Sequence, residues 1–300
     1  MCGIIYAKNL IDNRPVNNLV KILYENQKER GQLGFGFVGL NAEQIGTYRA
    51  TDEEGIMKYL NEHQYDEILF HHRLPTSTRN TLKSTHPFVI EMDDKRYYFM
   101  HNGIIQNANG LKERHSKEGI AYSSEEGEDF NDSEALAWDF CLWLNNKQEK
   151  VRAEGSVAFV CLEINKRASR AEKLYFYRND EAQLKIYKDK TMLLLASEGN
   201  YAPIKENWLC FWDYQKGQMS GYGFLDIQCP NLFSFNQYDY YHYFDEELEI
   251  EDDIMAMEQE RDYLLGMGEH IKAGIVDDEI EDLRDLLKEA KRDRLYLDSF

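Results

Sequence analysis

Met1-Cys2-Gly3-Ile4-Ile5-Tyr6-Ala7 opens the chain, and its reading decides the fold. The apolar residues after Met1 read as a short buried strand. The second residue is a cysteine, a side chain small enough for an aminopeptidase to remove the methionine before it. That removal leaves a thiol and a free α-amine on one Cα. An unperturbed α-amine titrates at about 7.7–8.0, so part of it is neutral near pH 7 and can act as a base. Nucleophile and base then belong to one residue, and no separate histidine is needed. Taken alone, position 2 leaves two readings open: a nucleophile, or an incidental cysteine at a strand end.

Outward from this strand, Asn17 to Arg30 carries Leu19, Ile22 and Leu23 among polar residues, a helical pattern. Gly31 to Gly39 reads as a glycine-rich loop entering a strand. Glu67 to His72 and Arg96 to His101 are apolar-aromatic runs of strand length. Asp132 to Leu144 is expected to be helical, with Asp132 or Ser133 as its N-cap. Four strand-like segments follow: Ser156 to Ile164, Lys173 to Arg178, Leu184 to Tyr187 and Met192 to Ala196. Two groups of strands with helices between them predict an α+β layered sandwich. Near residue 235 the chain turns acidic and helix-favouring. Ile254 to Met267 and Ile280 to Leu297 show three- and four-residue apolar spacing, with Gly274 and Asp277 as stop and start signals. The expected organisation is a main domain over 2–235 and a helical hairpin over 236–300.

The 300 residues carry a formal net charge of -19. Such acidity argues against a nucleic-acid backbone or an anionic membrane as principal partner. Cys2, Cys141, Cys161, Cys210 and Cys229 form no CxxC pair, so a structural zinc site is not expected. No secretory signal and no membrane-length apolar run is evident, and a cytoplasmic location is expected. No cofactor motif is present; Gly34-Phe35-Gly36 is too short to be a nucleotide fingerprint. His71 and His72 are neighbours, so on a strand they point to opposite faces and make a poor metal pair.

Cys2-Gly3-Ile4-Ile5 resembles the opening of the class II glutamine amidotransferases, which are N-terminal-nucleophile hydrolases. Further segments resemble that family in the same order. They are Arg30-Gly31, His72-Arg73-Leu74-Pro75-Thr76, Thr85-His86-Pro87-Phe88, His101-Asn102-Gly103-Ile104-Ile105 and Asn131-Asp132-Ser133-Glu134. The resemblance covers roughly residues 2 to 220. It implies a four-layer αββα sandwich, here with a C-terminal helical appendage, and glutamine as the substrate.

The roles it implies suit the chemistry. Arg73 would neutralise the glutamine α-carboxylate, a task for which a guanidinium is bidentate. Asp132 would hold the α-ammonium, and N-capping of its helix is the competing role. The Asn102 amide and the Gly103 N–H would stabilise the oxyanion formed when the thiolate attacks. An Asn-Gly pair is also a common β-turn, so a hairpin at this position is the alternative. Arg30, Gly31 and Thr76 would shape the substrate pocket. No cofactor or metal is implied.

Departures from the family fall on the loops. Leu74 stands where tryptophan is common, and Thr76-Ser77-Thr78 replaces threonine, histidine and glycine. Arg30-Gly31-Gln32-Leu33-Gly34 lacks the usual aspartate. Residues beyond 235 carry no P-loop or phosphate-binding signature. A separate ammonia-accepting synthetase or transferase subunit is therefore the expected partner. Two other functions remain open: hydrolysis of a γ-glutamyl peptide or other amide without transfer, and a catalytically silent binding or structural subunit.

Overall fold

A computed structural model describes residues 2–74, 80–127 and 129–230, and, further on, residues 250, 254, 257, 258, 261, 265, 276, 277 and 279–288. The chain divides into two compact units, Met1–Pro230 and Asn231–Phe300. In the second unit the described residues, 279–288 among them, are helical. Most of the expected hairpin lies outside the described residues.

The elements of the first unit follow in the order β1 (Gly3–Asn9), α1 (Asn17–Gln27), β2 (Leu33–Leu40), β3 (Ile45–Ala50), α2 (Glu53–Glu62), β4 (Glu67–Arg73), β5 (Phe88–Met92), β6 (Lys95–Ile105), α3 (Ala108–Lys117), α4 (Asp132–Leu144), β7 (Gly155–Asn165), β8 (Arg170–Arg178), β9 (Lys185–Lys188), β10 (Met192–Ala196), β11 (Ala202–Pro203), β12 (Trp208–Asp213) and β13 (Gln218–Phe224). One sheet runs β11-β9-β10-β1-β4-β2-β3, the other β13-β12-β8-β7-β6-β5. Every pairing is antiparallel. The stretch after Gly31 is more strand than loop, since β2 begins at Leu33. The last turn of the first helical segment, Lys28–Arg30, is 3₁₀ rather than α.

Alternation along the strands sorts the side chains into layers. Ile4 and Tyr6 of β1 join Leu69 of β4, Leu193 and Leu195 of β10, and Tyr98, Met100, Val160 and Phe176 of the second sheet in one buried cluster. This cluster is the seam between the two sheets. Ile5 and Ala7 point the other way, onto Val20, Leu23 and Tyr24 of α1 and Ile56 and Leu60 of α2. Phe99, Phe159 and Tyr175 back the second sheet against Leu111 of α3 and Leu136 and Phe140 of α4. The result is helices, sheet, sheet, helices: the four-layer αββα sandwich. Each fully buried aliphatic or aromatic side chain in these layers contributes about 1.5–3 kcal/mol of transfer free energy.

Candidate functional site

The same alternation builds the site. Cys2 precedes β1 in phase with Ile4 and Tyr6, Ser197 follows β10 in phase with Leu193 and Leu195, and Arg73 closes β4 in phase with Leu69. Asn102 lies near the end of β6 in phase with Tyr98 and Met100. Their side chains therefore all reach the seam between the sheets at one end, where its apolar filling stops. Polar and ionisable groups replace it.

Cys2 is half-buried, and its Sγ donates to the Leu74 carbonyl at 3.5 Å. Its own carbonyl accepts from Arg30 Nε at 2.8 Å and from Asn102 Nδ2 at 2.9 Å. Arg30 is fixed in turn by an ion pair with Glu198. Burial raises the Cys2 thiol pKa above its ordinary value, and the Arg73 guanidinium works against that rise. Arg73 is buried and donates Nη1 to Ser84 Oγ at 2.8 Å. Burial lowers its pKa, while the charges of Cys2 and Asp132 oppose the shift. Thiol, guanidinium and carboxylate thus feel one another across a single site.

Asp132 opens α4 but does not cap it. The N-cap is Asn131, whose side chain accepts from the Ser133 N–H at 2.9 Å. This corrects the expectation of Asp132 or Ser133 as cap. The Asp132 carboxylate turns sideways and accepts from the Ile105 N–H at 2.7 Å. Asn131 also donates to the Ser84 carbonyl at 3.0 Å, tying the Arg73 partner to the helix start.

Asn102 and Gly103 lie within β6, which excludes the hairpin-turn alternative. The pairing with β5 stops at Phe99, opposite Phe88, and β6 continues alone on that edge. The His101 carbonyl and the Ile105 N–H both point off this edge, to His71 and Asp132. By strand alternation the Gly103 N–H between them points the same way, away from β7. Gly103 has φ of 135°, and a Cβ there would sit 1.8 Å from the Ser156 carbonyl oxygen. Only glycine tolerates both. Gly31 serves by close approach: a Cβ there would lie 2.4 Å from the Arg73 carbonyl carbon and the Leu74 nitrogen. Its carbonyl accepts from His72 Nδ1 at 2.7 Å.

The adjacent histidines do face opposite ways. His71 Nε2 donates to the His101 carbonyl of the second sheet at 3.1 Å, whereas His72 packs edge-on against Tyr24 of α1. The His71 ring lies 3.9 Å from that of His86. Burial holds His71, His86 and His101 below their ordinary pKa and takes His72 down to about 4, so all four are neutral at pH 7. Being neutral, His101 carries one ring proton, which goes to the Ser156 carbonyl at 3.2 Å. Its Nδ1 therefore accepts from the Ser133 hydroxyl at 2.9 Å.

Sequence reading missed Ser197. Its buried hydroxyl oxygen accepts from the Ile4 N–H at 3.0 Å and from Asn102 Nδ2 at 2.7 Å, and its N–H donates to the Ile4 carbonyl. It thereby anchors the Asn102 amide to the strand that carries Cys2. The geometry brings Cys2, Arg30, Gly31, Arg73, Asn102, Gly103 and Asp132 to one end of the seam. Thr76 lies outside the described residues.

No protein-family model matches the sequence, and neither does any curated protein sequence. Solved structures do match. The allosteric regulatory enzyme of purine biosynthesis is similar with a TM-score of 0.59 and 15% identity, over 75% of this chain and 50% of that one. The glutamine phosphoribosylpyrophosphate amidotransferase of B. subtilis, complexed with ADP and GMP, gives 0.58 and 16%, over the same shares. The chain spans about half the length of these two enzymes. At such identity the likeness speaks for architecture alone: this chain has the α+β fold of the N-terminal-nucleophile hydrolase type.

Proposed function

We propose that this protein hydrolyses glutamine to glutamate and ammonia, with Cys2 as nucleophile after removal of Met1 and residues 2–235 as the catalytic domain. The carrying observation is the convergence of the Cys2 thiol, the Arg73 guanidinium, the Asn102 amide and the Asp132 carboxylate at one end of the seam. In this reading the α-amine of Cys2 takes the thiol proton, and the thiolate attacks the side-chain amide carbon of glutamine. Arg73 and Asp132 hold the α-carboxylate and α-ammonium. The oxyanion is met by the Gly103 N–H and by Asn102 Nδ2. Both hydrogens of that amide are engaged, by the Cys2 carbonyl and by Ser197 Oγ. Serving the oxyanion requires it to exchange the first of these bonds for one to substrate. The α-ammonium of Cys2 returns the thiol proton to the amide nitrogen, ammonia leaves, and water hydrolyses the γ-glutamyl thioester.

In the same reading the ammonia passes to a synthetase or transferase on a separate chain, and co-purification of such a chain with the tagged protein is the check. The central experiment measures glutamate release by wild-type protein and Cys2→Ala, with intact mass reporting loss of Met1. A folded Cys2→Ala variant should release no glutamate. Undiminished turnover by that variant sinks the assignment.

A further inference from the structure

The first unit holds a cavity whose lining includes none of Cys2, Arg73, Asn102 and Asp132. Its volume is about 650 Å³, within the range of small-molecule sites, and its wall includes Arg114 of α3, Trp143 of α4, Lys150 and Arg152 before β7, and Phe224 at the end of β13. The chain carries a net charge of -19, yet three cations meet here. None of Arg114, Lys150 and Arg152 has a carboxylate partner among the described residues; Arg152 reaches only Gln148 Oε1, at 3.4 Å. Glu154 and Asp226 also line the wall, and they leave the cations in excess.

Arg114 carries the decisive detail. Its Nη1 is shut off from solvent and has no hydrogen-bond partner. A guanidinium nitrogen buried without compensation is costly, and an anion seated in the cavity would offset that cost through its charge. Trp143 and Phe224 give the wall an aromatic part. Trp143 packs 5.4 Å from the Tyr222 ring, and Phe224 is 67% exposed. Flat apolar surface beside clustered cations fits a flat ring carrying an oxyanion group.

We propose that this cavity binds a small molecule composed of a phosphate or carboxylate group on an aromatic or heteroaromatic ring, with Arg114, Lys150 and Arg152 on the anion and Trp143 and Phe224 on the ring. The proposal is independent of the catalytic reading. Its test is calorimetric titration of the full-length protein with phenyl phosphate, benzoate, inorganic phosphate and phenol. Phenyl phosphate or benzoate should bind one to one, about tenfold or more tighter than inorganic phosphate or phenol. Arg114→Met and Arg152→Gln should each weaken that binding about tenfold, and Trp143→Leu should erase the advantage over inorganic phosphate. Cys2→Ala should bind as wild type. Arg152→Gln, which removes no buried unpartnered nitrogen, keeps the test alive if Arg114→Met fails to fold. No binding by any probe at millimolar concentration, or wild-type affinity in Arg152→Gln and Trp143→Leu, overturns the proposal.

Discussion

Replacing Ser197 with alanine tests whether the Asn102 amide is held ready or merely happens to lie near Cys2. The hydroxyl accepts two hydrogen bonds, from the Ile4 N–H and from Asn102 Nδ2. Its loss leaves the buried Ile4 N–H without that acceptor, a cost of about 1–3 kcal/mol. For a unit of this size that lowers Tm by about 2–12 °C. The second bond is the informative one. A net hydrogen bond is worth about 0.5–1.5 kcal/mol, so releasing the amide should lower kcat by about twofold to tenfold. KM for glutamine should change little, because Ser197 touches neither Arg73 nor Asp132. Steady-state glutamate release and scanning calorimetry give both quantities. The decisive arm is a double-mutant cycle. If Ser197 acts through Asn102, adding Ser197→Ala to Asn102→Ala should cost kcat nothing further. A Tm loss with unchanged kcat, or fully additive losses in kcat, refutes the positioning role.

Three further outcomes follow from the geometry. Arg73→Lys keeps the charge but loses the planar fork, so KM for glutamine should rise about tenfold or more while kcat falls less, as a substrate titration would record. Gly31→Ala drives a methyl into the Arg73–Leu74 backbone and should cost about 1–3 kcal/mol of stability in denaturant unfolding, with a raised KM because Arg73 is displaced. His72 titrates near 6.5 when unfolded and about 4 when folded. The unfolded chain therefore binds more protons between those values, and stability is lost as pH falls from 6.5 to 4. The loss reaches at most about 3 kcal/mol from this group, with His71, His86 and His101 adding in the same direction. Tm measured across that window should fall less steeply in His72→Gln, and an equal slope would count against the assignment.

The layered fold was legible because β1, β4, β6 and β7 are apolar runs bounded by polar or glycine-containing stretches. The site residues were legible where chemistry is packed into contiguous motifs, as in His101-Asn102-Gly103 and Cys2-Gly3. Ser197 was not. Ala196-Ser197-Glu198 carries no local signal, and the role arises only because β10 lies beside β1, bringing that hydroxyl to Ile4 and Asn102. The helix cap was misassigned for a related reason. Asn131, Asp132 and Ser133 are all good caps by type, and the choice among them is made by β6, whose Ile105 N–H takes the Asp132 carboxylate and whose His101 ring takes the Ser133 hydroxyl. β13 escaped notice because its Gln-Met-Ser-Gly-Tyr-Gly-Phe sequence is largely exposed and lacks a clear alternation.

The central place of β1 bears on the order of events during synthesis. β1, which Cys2 precedes, has β4 on one side and β10 on the other. The Ile4–Ser197 hydrogen bond closes a span of 193 residues. A nascent chain that has passed β6 but not reached β10 has one bare edge on the strand that follows Cys2 and an Asn102 amide without its serine anchor. Contacts so distant in sequence form late. The Cys2 thiol thus waits on structure far along the chain, and an unfinished chain carries the cysteine without the assembled candidate site.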